Sequence, residues 1–206
     1  MSTPIGIIDY GMGNLRSVQK AFEKNGDSAE IFSDPNQMKD YKKLVLPGVG
    51  GFGDAMEELN RRQLADAIRD WAAADKPLLG ICLGLQLLFS VSHEDGDHHG
   101  LGLLDGDVVR FDLSSDFKVP HMGWNQVQRQ EDFNSFETIR HDDYFYFVHS
   151  FYVRPADRSI IALTSCYEHD FCAAIQQGNL LATQFHPEKS QRVGLRLLRE
   201  FAAAPY

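Results

Sequence analysis

The segment "GICLGLQLLF" (residues 80–89) decides how this chain is put together. Its first residues complete an apolar run, "PLLGI" (77–81), whose length and aliphatic content fit a buried strand. Its last residues, "LGLQLLF" (83–89), open a helix. Between them lies Cys82, with Gly80 two places before it and Gly84 two places after. Strand, G-x-C-x-G and helix together form a nucleophile elbow with cysteine in place of serine. So tight a turn holds the nucleophile in a strained backbone conformation, and the flanking glycines remove side chains that would collide. The helix that follows turns its N-terminal dipole toward the sulfur, which favours thiolate. The Leu83 amide is left free to donate to an oxyanion. The elbow alone is equally compatible with a buried structural cysteine, since free cysteine is among the most buried residue types.

Outward from the elbow, the first half alternates strands and helices. "PIGIIDY" (4–10), "SAEIF" (28–32) and "KLVLPG" (43–48) are strand-like. Leu15, Val18, Ala21 and Phe22 recur at helical spacing, and a further helical pattern runs from Ala55 to Ala74 through Met56, Leu59, Leu64, Ala67, Ile68 and Trp71. Such alternation predicts an α/β fold with a largely parallel sheet flanked by helices on both faces. The second half is mostly strand-like with short turns: "GDVVRF", "GWNQVQ", "YFYFVHSFYV", "IIALTSCYE", "FCAAIQQ" and "LLATQF". These predict antiparallel additions to the sheet, and a helical pattern from Val193 to Ala203 closes the chain. With 206 residues and no linker or repeat, one domain over residues 1–206 is expected.

Composition narrows the function classes. The chain is 43% hydrophobic and 24% charged, with a formal net charge of −9, and it has no block of Lys and Arg with which to wrap nucleic acid. No apolar run approaches the roughly 20 residues that span a bilayer. The first residues, "MSTPIGIIDYG", lack the basic and apolar regions of a signal peptide. An odd set of cysteines, Cys82, Cys166 and Cys172, then suggests free thiols and a cytoplasmic setting.

A cysteine nucleophile needs a base and a group to orient that base. Both occur together downstream in "ATQFHPEKS" (182–190), where His186 and Glu188 stand two residues apart after a strand. Alternate residues of an extended segment point to one side, and Pro187 biases His186 toward extended geometry. Taken alone, this pair is an ordinary surface loop. His93, His98 and His99 lie in a polar loop without zinc-site spacing. His121, His149 and His169 sit among strand residues, where simple hydrogen bonding accounts for them. "YGMGN" (10–14) lacks the third glycine of a dinucleotide loop.

Cys82 in its elbow and the His186-Pro187-Glu188 run resemble the class I, or triad, glutamine amidotransferases. Further segments carry the resemblance along nearly the whole chain: "IIDYGMGNLRSV" (7–18), "LPGVGGFGDAM" (46–56), "PHMGWN" (120–125), "YFVHSFYV" (146–153) and "LLATQFHPEKS" (180–190). Gln191 departs from the pattern, which has a small residue there. The resemblance implies a flavodoxin-like sheet and a Cys82, His186, Glu188 triad that hydrolyses glutamine through a thioester. Its oxyanion and substrate site would be built from Val49, Gly50, Gly51, Leu83, Gln86, Ser150 and Phe151. It implies no cofactor and no metal. The implied partner is a synthase subunit with a (β/α)8 barrel that consumes the ammonia, docked on Asn14, Pro120, Trp124, Tyr146 and Lys189. Trp124 alone is equally well explained as core. A paralogue that feeds ammonia into amino-sugar synthesis would share every catalytic residue.

Overall fold

A computed structural model of the chain describes residues 4–130, 133 and 135–205, so the expected domain limits at 1 and 206 lie outside it. In chain order the elements are β1 (Ile5–Ile8), α1 (Leu15–Asn25), β2 (Ala29–Phe32), β3 (Leu44–Gly48), α2 (Phe52–Arg61), α3 (Leu64–Ala73), β4 (Leu78–Cys82), α4 (Leu83–Leu87), β5 (Phe89–Ser92), β6 (His98–His99), β7 (Leu104–Arg110), β8 (His121–Gln126), β9 (Gln128–Arg129), β10 (Tyr144–His149), β11 (Phe151–Pro155), β12 (Ile161–Tyr167), β13 (His169–Gln177), β14 (Leu180–Thr183) and α5 (Gln191–Ala203). Short 3₁₀ turns join several of them.

The main sheet has the order β2-β1-β3-β4-β14-β13-β12-β9. Its first five strands are parallel, and β13, β12 and β9 extend it antiparallel. Alternate residues along each parallel strand enter opposite cores, as a sheet covered on both faces requires. Ile8, Leu44, Leu46 and Leu78 pack with Leu59 and Ile68 of α2 and α3. Ile7, Val45, Leu79 and Ile81 pack with Phe22 of α1 and Leu198 of α5.

Four sequence expectations need correction. The pattern from Ala55 to Ala74 is two helices, because Gln63 adopts φ 59 and breaks the ladder after Arg61. The helix after the elbow is only Leu83–Leu87, since Phe89 starts β5. "YFYFVHSFYV" is two strands: β10 pairs with β8, and β11 pairs with β7. Not all the second-half strands join the main sheet, because β8 and β10 form a separate ribbon and β11, β7, β5 and β6 a separate four-stranded sheet.

The sheet also fixes where chemistry can occur. In open α/β sheets ligands bind outside the carboxyl ends of the parallel strands. Here β3, β4 and β14 lie side by side, with Gly48 opposite Cys82 and Thr183 opposite Ile81. Their carboxyl ends carry "PGVG", Cys82 and the His186 loop, so three segments far apart in sequence meet at one edge.

Candidate active site

The elbow has the strained geometry that its sequence predicts. Cys82 sits at φ 56, ψ −109, a conformation that L-residues rarely adopt. Its glycines are explained by close approach. A Cβ on Gly84 would lie 1.9 Å from the Leu46 carbonyl oxygen, and one on Gly80 would lie 3.0 Å from the Gly84 backbone. The helix start is thus pressed against β3, which holds the sulfur at the sheet edge.

His186 and Glu188 are fixed by their own loop. Nδ1 of His186 lies 2.8 Å from Glu188 Oε1, and both side chains are buried, at 2% and 1% exposure. Ser190 holds the turn: its Oγ donates to the His186 carbonyl at 2.6 Å and accepts from the Tyr146 amide at 3.0 Å. The His186 amide donates to the Tyr146 carbonyl, which ties the loop to β10. Burial works against the His186 cation, but the Cys82 side chain and the Glu188 carboxylate outweigh it and push its pKa up to about 9. Nε2 of His186 is buried with no hydrogen-bond partner, so a donor-acceptor position stands open on the Cys82 side.

Cys82 and His186 line one cavity of about 350 Å³, together with Val49, Gly50, Leu83, Gln86, Ser150 and Phe151, while Glu188 lies behind His186 and outside the lining. The expected site residues therefore converge, with Gly51 adjoining as the N-cap of α2. A larger cavity of about 550 Å³ lies between α1 and α5, lined by Lys24, Arg192 and Arg199 among others, and holds none of the elbow or loop groups. Gln86 is buried, and its Nε2 donates to the Phe151 carbonyl at 2.9 Å and to Gln184 Oε1 at 3.2 Å. Both amide protons are then used, which leaves the Gln86 carbonyl oxygen as the group available to a ligand.

Sequence reasoning missed several residues here. Glu94 lines the cavity, and its carboxylate accepts from the Phe52 amide at 2.7 Å at the start of α2. Gln184 donates from Nε2 toward the Cys82 sulfur at 3.9 Å. The Tyr10 hydroxyl is buried without a partner, and a Cβ on Gly48 would come 2.5 Å from it. Ser190 and Gln184 flank the His-Pro-Glu run, which was their only sequence signal; Glu94 lay hidden in a polar loop.

Three of the five expected docking residues cluster beside the His186 loop, Trp124 exposed and Tyr146 and Lys189 half-buried. Trp124 is 46% exposed, which rules out its reading as core. It meets Tyr146 edge-on at 6.1 Å, and Lys189 Nζ lies 5.9 Å from the Tyr146 ring. Met122, on the same strand, is 62% exposed and was not anticipated. Pro120 is exposed and lines the cavity mouth, and Asn14 is exposed after β1 on the same carboxyl edge. Gln191, the departure from the family pattern, has φ 52, a conformation that favours glycine. Among the described residues the three cysteines are free, with Cys82 and Cys172 buried and Cys166 exposed. No helix among them is long and apolar enough to cross a membrane.

The family model for class-I glutamine amidotransferases matches residues 6–204. The chain is 58% identical over 201 residues to a protein of Rhodopirellula baltica named imidazole glycerol phosphate synthase subunit HisH, covering 98% of each. It is 48% identical over 203 residues to the protein of that name from Geobacter metallireducens, covering 96% of this chain and 97% of that one. Among solved structures, PurLQS from Thermotoga maritima superposes with a TM-score of 0.76 at 21% identity, covering 98% of both chains. The glutaminase domain of Trypanosoma brucei CTPS, with bound acivicin, does so with a TM-score of 0.68 at 17% identity, covering all of this chain and 96% of that one. At those identities the likeness concerns the fold.

Proposed function

This chain belongs to the class-I glutamine amidotransferase family, and from that premise we propose that it is the glutamine-hydrolysing subunit of an imidazole glycerol phosphate synthase. The observation that carries the proposal is the strained Cys82 in one cavity with His186, whose ring is held from behind by the buried Glu188. Relatives at 58% and 48% identity bearing that subunit name favour this over an amino-sugar paralogue.

In the proposed reaction Cys82 Sγ attacks the carboxamide carbon of glutamine. His186 holds the thiol proton and passes it to the departing nitrogen, so ammonia leaves and a thioester remains. Water, deprotonated by His186, then attacks the thioester; glutamate departs and the thiol is restored. Glu188 fixes the imidazole tautomer through Nδ1 and stabilises its cation. The Leu83 amide and the Val49–Gly50 backbone serve as the oxyanion donors, and each such donor is worth about 3 kcal/mol in comparable sites. The Gln86 oxygen and the Glu94 carboxylate face the α-ammonium group of the substrate. Gly51, Ser150 and Phe151 complete the wall.

Relatives named as subunits imply a partner subunit. We assign that partner a (β/α)8 barrel that takes the ammonia before water protonates it and forms imidazole glycerol phosphate and an aminoimidazole carboxamide ribotide, in histidine biosynthesis. It seats on Trp124, Tyr146, Lys189, Pro120 and Asn14, beside the cavity mouth. The test is Cys82→Ala in the complex. Glutamine-dependent synthesis should vanish and ammonia-dependent synthesis should persist. Continued glutamine hydrolysis by the variant would overturn the proposal.

A further inference from the structure

Two buried histidines have no part in the reaction just described: His149, which lines the cavity, and His121 behind it. His121 and His149 are 3% and 6% exposed and stand opposite each other on β8 and β10. Nδ1 of His149 lies 2.9 Å from the Phe151 carbonyl oxygen, and its Nε2 lies 3.1 Å from His121 Nδ1. Nε2 of His121 lies 3.3 Å from Asn125 Nδ2, which also donates to the Cys166 carbonyl at 2.8 Å. The Asn125 carbonyl oxygen accepts from the Gln126 amide at 2.8 Å, which fixes the orientation of that side chain.

This chain of contacts admits one arrangement of protons. A carbonyl oxygen only accepts, so His149 donates from Nδ1 and accepts at Nε2. His121 then donates from Nδ1 and accepts at Nε2 from Asn125. Both rings are neutral Nδ1–H tautomers. One added proton would set two donors face to face, either between the rings or against the Asn125 amide. The surroundings agree: the pair is packed among Phe111, Phe147, Phe171 and Tyr167, with His169 near Phe111 and His186 facing His149. Burial lowers His121 to about 4, and burial above all lowers His149 to about 3, against the opposing bond to the Phe151 carbonyl.

The relay ends on the substrate wall. The Phe151 carbonyl receives His149 on one side and Gln86 Nε2 on the other, and Gln86 continues through Gln184 to the Cys82 sulfur. We propose that Asn125, His121 and His149 are positioning residues: their neutral relay clamps the Phe151 carbonyl and thereby turns the Gln86 oxygen toward bound glutamine. The relay acts on ground-state binding of glutamine, so it governs KM more than kcat. The role in glutamine binding rests on the proposed glutaminase activity; the proton arrangement does not.

Two measurements test it. Nitrogen-15 NMR of the histidine rings in the full wild-type chain should show both as neutral Nδ1–H tautomers from about pH 6 to about pH 8, a window in which an ordinary histidine titrates. An Nε2–H tautomer on either ring, or titration of either within that window, overturns the relay even if the chain hydrolyses no glutamine. In the complex with the synthase subunit, His149→Phe keeps ring volume but removes the donor, and should raise KM for glutamine about tenfold with a smaller change in kcat. His149→Asn, which restores a donor near the Nδ1 position, should recover most of that loss. Equal KM values for the wild type and His149→Phe, or a loss confined to kcat, overturn the positioning role.

Discussion

Glu188→Gln isolates the charge that supports His186. The two side chains are almost fully buried and 2.8 Å apart, so the substitution keeps shape and removes only the charge. In the native protein the His186 pKa rises from 6.5 to about 9 although burial opposes it. At about 1.4 kcal/mol per pH unit, the folded state prefers the imidazolium by about 3 kcal/mol. Without the carboxylate, burial is opposed by Cys82 alone, and the His186 pKa should fall. The imidazolium that forms as Cys82 attacks loses the same support, so kcat should drop about 100-fold with KM little changed. Steady-state glutaminase assays on the complex give this directly, and His186→Ala should lose more. Stability carries an independent signature. A pKa raised in the folded state stabilises the protein fully below the unfolded value of about 6.5, and that contribution is lost as pH rises through about 9. Urea unfolding should therefore show the wild type losing more stability than Glu188→Gln between about pH 6 and about pH 10. Wild-type kcat in the variant, or parallel stability profiles for the two proteins, would refute the reasoning.

Two further substitutions probe the scaffold and the docking face. Gly84→Ala places a methyl 1.9 Å from the Leu46 carbonyl oxygen, a backbone atom that cannot step aside, so it should lower stability by more than about 3 kcal/mol and show a marked fall in Tm. Trp124→Ala removes an exposed ring in contact with Tyr146, so Tm should hold while the affinity for the synthase subunit, measured by calorimetric titration, falls at least about 30-fold, as for an aromatic anchor worth about 2 kcal/mol.

The α/β class, the elbow and the His-Pro-Glu run are legible in residue order alone, because each depends on local order. Apolar periodicity reports which face of a strand or helix is buried, and G-x-C-x-G reports a backbone turn that only small flanking residues allow. The breaks were harder to see. Gln63 adopts a positive φ without being glycine, and Ser150 divides an unbroken aromatic run between two sheets. Neither leaves a periodic trace, since pairing across space overrides a pattern along the chain. The same holds for the site. Cys82 and His186 could be linked from sequence only through the family resemblance, because 103 intervening residues carry no distance information. Tertiary structure made them neighbours by laying β14 beside β4. The supporting roles of residues on other segments, such as Asn125 and the His121–His149 pair, are visible only there. A polar residue in a strand looks alike whether its partner is water or a buried carbonyl, and only the packed sheet decides which.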